Sequence, residues 1–202
     1  NAVQLRGEAT SGQSSVEMVE LSNSGVDELD VTGWCIAYAT STSTSFSSKG
    51  CLVSSDEWLH YFLPSGGSLQ FITAEYAALH PEVLGAFTMT SGLSNTSGQL
   101  KILDGNKAVI DHVGWGLGSF AETSPVIVTS STVGFKREAM LDTDNNASNF
   151  TVQTSTLTLQ PSMAVEVSDV CHNLDGLQIQ PPEDTSLDTD GNCNPIVIDL
   201  CS

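Results

Sequence analysis

Apolar and polar residues alternate through "VELSNSGVDELDVTGWCI" (Val19 to Ile36): Val19 and Leu21, then Leu29 and Val31, then Trp34 and Ile36 keep a period of two around Asn23-Ser24-Gly25. Successive side chains of a strand point to opposite faces, so this alternation predicts half-buried antiparallel strands. Asn and Gly tolerate positive φ and mark the turn. Gly33 is the expected place where the phase slips by a bulge. Trp34 shares a face with Ile36 and Tyr38 and is read as a core anchor, a burial that stabilises by about 2–3 kcal/mol.

The pattern continues in pieces. "TSTSTSFSSKG" (Thr40 to Gly50) is polar and low in complexity and reads as a long surface loop ending near Cys51, with Phe46 its one large apolar residue. "EWLHYFLPSGGSLQFIT" gives two strands around Pro64-Ser65-Gly66-Gly67. One short helix is expected in "AEYAALHPEV", distorted or ended by Pro81. Leu100 and Ile102, then Val109 or Ile110 and Val113, flank Asp104-Gly105-Asn106, a hairpin signal. Turn signals this frequent predict an all-β chain, an antiparallel β-sandwich and not a βαβ fold.

The character changes at Pro161. Residues 161–202 hold eight acidic residues, four prolines and three cysteines, with no Lys or Arg. The expected organisation is therefore a β-sandwich domain over 1–160 and a short acidic extension over 161–202. Over the whole 202 residues, 6 basic residues face 24 acidic ones, a net charge of −18. Phosphate-backbone binding draws on clustered Lys and Arg, so no nucleic-acid partner is expected. No run of about 18 apolar residues occurs, so no membrane span is expected. The chain opens at Asn1 without a basic, apolar leader, as a mature or trimmed form does.

The ordered motifs have a family likeness. "EMVELSNSGVDELDVTGWCI", "LPSGGSLQFI", "LSNTSGQLKILDGNKAVIDHVGWG" and "TVGFKREAMLDTDNNASNF" together resemble the lamin-tail domain family, across roughly residues 2–160. The resemblance implies an immunoglobulin-like β-sandwich without catalytic residues. In bacteria it implies a binding or tethering module of secreted or cell-surface proteins. The heptad rod and basic surface of nuclear lamins are missing here, so scaffold and DNA-binding roles do not carry over.

Five cysteines include no Cys-x-x-Cys pair, and the four histidines are scattered. Disulfides in an oxidising compartment are thus expected in preference to zinc. Cys35 with Cys51 would staple the Ser/Thr loop, worth about 3 kcal/mol in the chain-entropy model. In the extension Cys171 pairs with Cys193, or Cys193 with Cys201; either leaves one cysteine over. Asp142, Asp144 and Asn146 alternate as calcium ligands do, although Ala147 replaces the glycine of an EF-hand loop; an Asx-rich turn is the plainer reading. Asp184, Asp188 and Asp190 form a similar set in the extension. Adjacent Asp111 and His112 lie in no recognisable nucleophile setting. The expected function is adhesion or tethering to a protein or glycan at a cell surface, with Phe46 and Trp115 in "GWGLG" as exposed contact residues. The alternative is a calcium-stabilised carbohydrate-binding module of a larger secreted enzyme.

Overall fold

A computed structural model describes residues 2–7, 15–53, 59–138, 142–155, 157, 165–168, 171, 182, 185–187 and 191–195. In chain order the strands are β1 (Ala2–Gln4), β2 (Met18–Ser22), β3 (Leu29–Asp30), β4 (Cys35–Ala39), β5 (Ser47–Cys51), β6 (Leu59–Leu63), β7 (Ser68–Ile72), β8 (Phe87–Thr88), β9 (Gly98–Leu103), β10 (Val109–Trp115), β11 (Gly134–Arg137), β12 (Phe150–Gln153), β13 (Val165–Ser168), β14 (Thr185–Leu187) and β15 (Cys193–Pro195). Helix α1 (Ala74–Leu79) follows β7, and the single turn α2 (Asn146–Asn149) precedes β12. The chain is all-β, as the alternation predicts.

A six-stranded sheet runs β12-β11-β1-β2-β7-β8, a four-stranded sheet β10-β9-β4-β5, and a three-stranded sheet β13-β6-β3, with β14 and β15 paired separately. All pairs are antiparallel except β7 with β8. Apolar residues set the register. Val19 lies opposite Phe71 and Leu21 opposite Leu69, while Ile36 meets Ile102 and Tyr38 meets Leu100. One apolar cluster draws on the three larger sheets: Phe71 and Phe135 from the first, Ile36, Leu100 and Trp115 from the second, Tyr61 and Leu63 from the third. Residues next in sequence point the other way. Ala2, Met18 and Ile72 accordingly form a second cluster on the far face of the six-stranded sheet, capped by Tyr76 of α1.

Local chemistry explains the turns. Thr73 caps α1 by accepting from the Tyr76 N–H, and Pro81 follows soon after its end. Asp104 closes the β9–β10 hairpin by accepting from Asn106 N–H at 2.9 Å and Ala108 N–H at 2.7 Å. Gly33 has φ +74 and divides the opening pattern between two sheets, since β3 pairs with β6 while β4 pairs with β5 and β9.

Three sequence expectations need correction. The Ser/Thr segment is not all loop: Ser47–Cys51 pairs with β4 as the edge strand β5, a place that suits alternating small polar residues. Trp34 is only half-buried, because β4 begins after it and its backbone bonds turn-like to Val31 and Leu52. Trp115 is wholly buried. Its indole N–H donates to Ser94 O at 2.8 Å, and its ring packs against Tyr38 and Phe135. Gly98 makes this possible, since a Cβ there would lie 2.7 Å from the indole. Trp115 is therefore the tryptophan at the centre of the core, and Trp34 packs at its margin.

Cys35 is bonded to Cys51 and Cys171 to Cys193. Cys201 lies outside the described residues. Val165–Ser168, from the acidic extension, pairs along Leu59–Leu63. No described helix is long and apolar enough to cross a membrane.

Candidate functional site

Asp111, Val113 and Trp115 share one face of β10, and that face is the core side, where Val113 and Trp115 are buried. A bulge leaves Ile110 unpaired between Val109 and Asp111 and turns the strand there. On β11 the same alternation sends Phe135 and Arg137 inward. An inward acid of one sheet thus meets an inward base of another. Arg137 Nη2 donates to Asp111 Oδ2 at 2.8 Å, and Nη1 donates to Asp142 Oδ1 at 2.7 Å. The guanidinium also lies 4.6 Å from the Phe150 ring centroid, across the β11–β12 pair.

Polar groups from two further segments close this knot. Glu122 accepts from the His112 N–H at 3.3 Å and from Asn146 Nδ2 at 2.9 Å. Asn146, fully buried on α2, accepts from the Gly114 N–H at 2.8 Å and donates to His112 O at 3.2 Å. Asn149 Oδ1 accepts from the Thr143 N–H at 3.0 Å, folding the Asx-rich segment over the knot. Asp111, Glu122 and Asp142 each offer an oxygen within 4.8 Å of the others. Burial raises the Asp111 carboxyl above its ordinary value, with Arg137 opposing and Asp142 reinforcing the shift. Burial likewise raises Glu122, helped by Asp111 and Asp142. Asp111 Oδ1 is buried and accepts no hydrogen bond from the described residues.

Beside the knot lies an open groove of about 240 Å³ whose lining includes Leu29, Trp34, Ile110, Asp111 and Asp142. Leu29 and Ile110 are 37% and 52% exposed. The groove brings an indole, aliphatic side chains and carboxylates together, a set suited to holding a ligand by apolar contact and hydrogen bonds. Protein-family models, curated proteins and solved structures give no match to this chain.

The sequence-derived site residues are brought together only in part. Asp142 joins Asp111 and Glu122, whereas Asp144 is exposed with φ +53 and Asn146 spends its carbonyl oxygen on Gly114. Asp184, Asp188 and Asp190 lie outside the described residues. Phe46 is half-buried, not free: its ring lies under Lys101 Nζ at 4.3 Å and edge-on to His112. Trp115 cannot meet a partner from inside the core; Trp34 is the tryptophan at the surface groove. His112 shares its Nε2 with Gln99 Oε1 at 3.0 Å, and burial, then Lys101, holds its pKa down. Arg137 is one of two arginines in the chain and sits two residues after Phe135. That spacing is the signal by which the buried pair could have been found.

Proposed function

We propose that this chain is a non-catalytic module of a secreted or surface-exposed bacterial protein, an immunoglobulin-like sandwich of the lamin-tail type, that works by adhesion or tethering. The observation that carries the reading is the groove that half-buried Trp34 lines together with Leu29, Ile110, Asp111 and Asp142. Exposed apolar side chains gathered around an aromatic mark contact surfaces more often than isolated ones do. Disulfides at Cys35–Cys51 and Cys171–Cys193 support an oxidising compartment. His112 and Asp111 alternate on β10 and are engaged by different partners, Gln99 and Arg137, which supports a binding role over a catalytic one. Binding of the purified chain to whole cells, compared with Trp34→Ala, tests the proposal. Loss of attachment in a variant that still folds cooperatively and melts only about 2–4 °C below wild type is the expected result, and undiminished attachment would refute the groove.

A second reading is a calcium-stabilised carbohydrate-binding module, and the meeting of Asp111, Glu122 and Asp142 favours it. It requires millimolar calcium to raise the melting temperature, EDTA to reverse the rise, and a glycan array to show selective binding that Trp34→Ala abolishes. Superimposed melting curves in calcium and EDTA would remove it.

A further inference from the structure

The two sulfurs of the Cys35–Cys51 bond have unequal surroundings. They join register partners of β4 and β5, and β5 is the edge of its sheet. Cys35 is buried at 4% exposure, while Cys51 on the edge is only half-buried. The β9–β10 turn rests on the segment before β4, with Gly105 so close that a Cβ would lie 3.0 Å from Thr32 O. Within this turn Lys107 is held at φ +69, a conformation side chains with a Cβ seldom adopt. Its backbone N–H donates to Asp104 O at 3.0 Å. The side chain reaches back, placing Nζ 3.4 Å from Gly33 O and 3.3 Å from Cys35 Sγ. Cys51 Sγ has a neutral neighbour instead, Ser48 Oγ at 3.3 Å. In a chain with only six basic residues, one of them is set against the buried sulfur of this pair.

Thiol–disulfide exchange depends on these two properties. The nucleophile attacks the sulfur it can reach, and the departing sulfur leaves faster the more its thiolate is stabilised. We propose that Cys35–Cys51 is a thiol-exchange site in which an incoming thiolate attacks Cys51 and Cys35 departs as a thiolate held by the Lys107 ammonium. A new S–S bond forms between the incoming sulfur and Cys51 Sγ. The Cys35–Cys51 bond breaks, and its electron pair stays on Cys35. A second thiolate attacks the incoming sulfur of the mixed disulfide and releases the Cys51 thiolate. The sum is two external thiolates oxidised to one disulfide and the protein pair reduced to two thiolates. The Cys171–Cys193 bond serves as the internal reference.

Reduced glutathione is the probe. The oxidised chain is pulsed with it at neutral pH, quenched with N-ethylmaleimide, and mapped by peptide mass spectrometry. At early times glutathione is expected on Cys51 and maleimide on Cys35. Lys107→Met keeps a side chain at the same backbone angle without the charge and should slow opening by about three- to tenfold, whereas Lys107→Arg should retain most of the rate. A variant that partly unfolded would open faster, so damage to the fold cannot imitate the expected slowing. Glutathione on Cys35, a Lys107→Met rate equal to wild type, or a bond that opens only on unfolding would each overturn the proposal.

Discussion

Glu17 and Asp111 are both withdrawn from water, but they are satisfied by different partners. Glu17, just before β2, is 1% exposed and accepts from the N–H groups of Gly92 at 2.7 Å and Leu93 at 2.8 Å. Those amides anchor the Ser91–Ser94 loop but bring no net charge. Lys49 lies near enough to lower the Glu17 pKa, yet its ammonium donates to Ser91 O at 2.7 Å. Burial therefore pushes Glu17 up to about 7. Asp111 has a full cation at 2.8 Å, but Arg137 serves Asp142 as well, and Glu122 is close by. The comparison teaches that the first carboxyl depends on pH, whereas the knot depends on a single guanidinium.

The difference is open to direct attack. Arg137→Met removes the cation that the described residues bring to these three carboxylates and should cost about 3–5 kcal/mol in urea denaturation, as breaking one side of a buried ion pair does. A loss below about 1 kcal/mol would show that water already reaches the knot. Next comes pH. Glu17 is raised from 4.5 to about 7, so its contribution is full below pH 4.5 and is lost as pH rises through about 7. Asp111 and Glu122 are shifted in the same direction. Stability measured from pH 8 down to pH 5 should rise, with about 2.5 kcal/mol of the rise owed to Glu17. Glu17→Gln should flatten most of that slope and, with only one acceptor oxygen left for two amides, weaken the chain at low pH.

Smaller effects sharpen the picture. Asn146→Ala strands the Gly114 N–H and one Glu122 oxygen and should cost about 1–3 kcal/mol. Trp34→Ala, at the edge of the core, should cost only about 1 kcal/mol while removing attachment to cells. That separation between stability and binding is the outcome a groove residue must give. A large destabilisation would return Trp34 to the role of core anchor.

Local features were legible in the sequence and tertiary ones were not. The Asp104-Gly105-Asn106 hairpin, the helix after Thr73 and the strand alternation all depend on near neighbours. Cys35–Cys51 was legible because the polar segment between them reads as a surface loop whose ends a bond would staple, although part of it forms the edge strand β5. Trp34 and Trp115 were misjudged for one reason. Alternation says which residues share a face but not where a strand begins or ends: β4 begins one residue after Trp34, and β10 runs through Trp115. The Arg137 knot needs β10, β11, α2 and the Glu122 loop to converge from different sheets. The single turn α2 was read as an Asx-rich turn because four residues are too few to show a helical period.

The burial of Asn146 and Asn149 limits how the chain can be made. Asn146 opens the triplet Asn-Ala-Ser and Asn149 opens Asn-Phe-Thr, both acceptors for N-linked sugar, as is exposed Asn95 in Asn-Thr-Ser. A eukaryotic secretory pathway would meet the first two before folding hides them, and a glycan on either amide has no room inside the finished molecule. Production there would yield misassembled chains unless Ser148 and Thr151 were first replaced, while a sugar on Asn95 would be harmless.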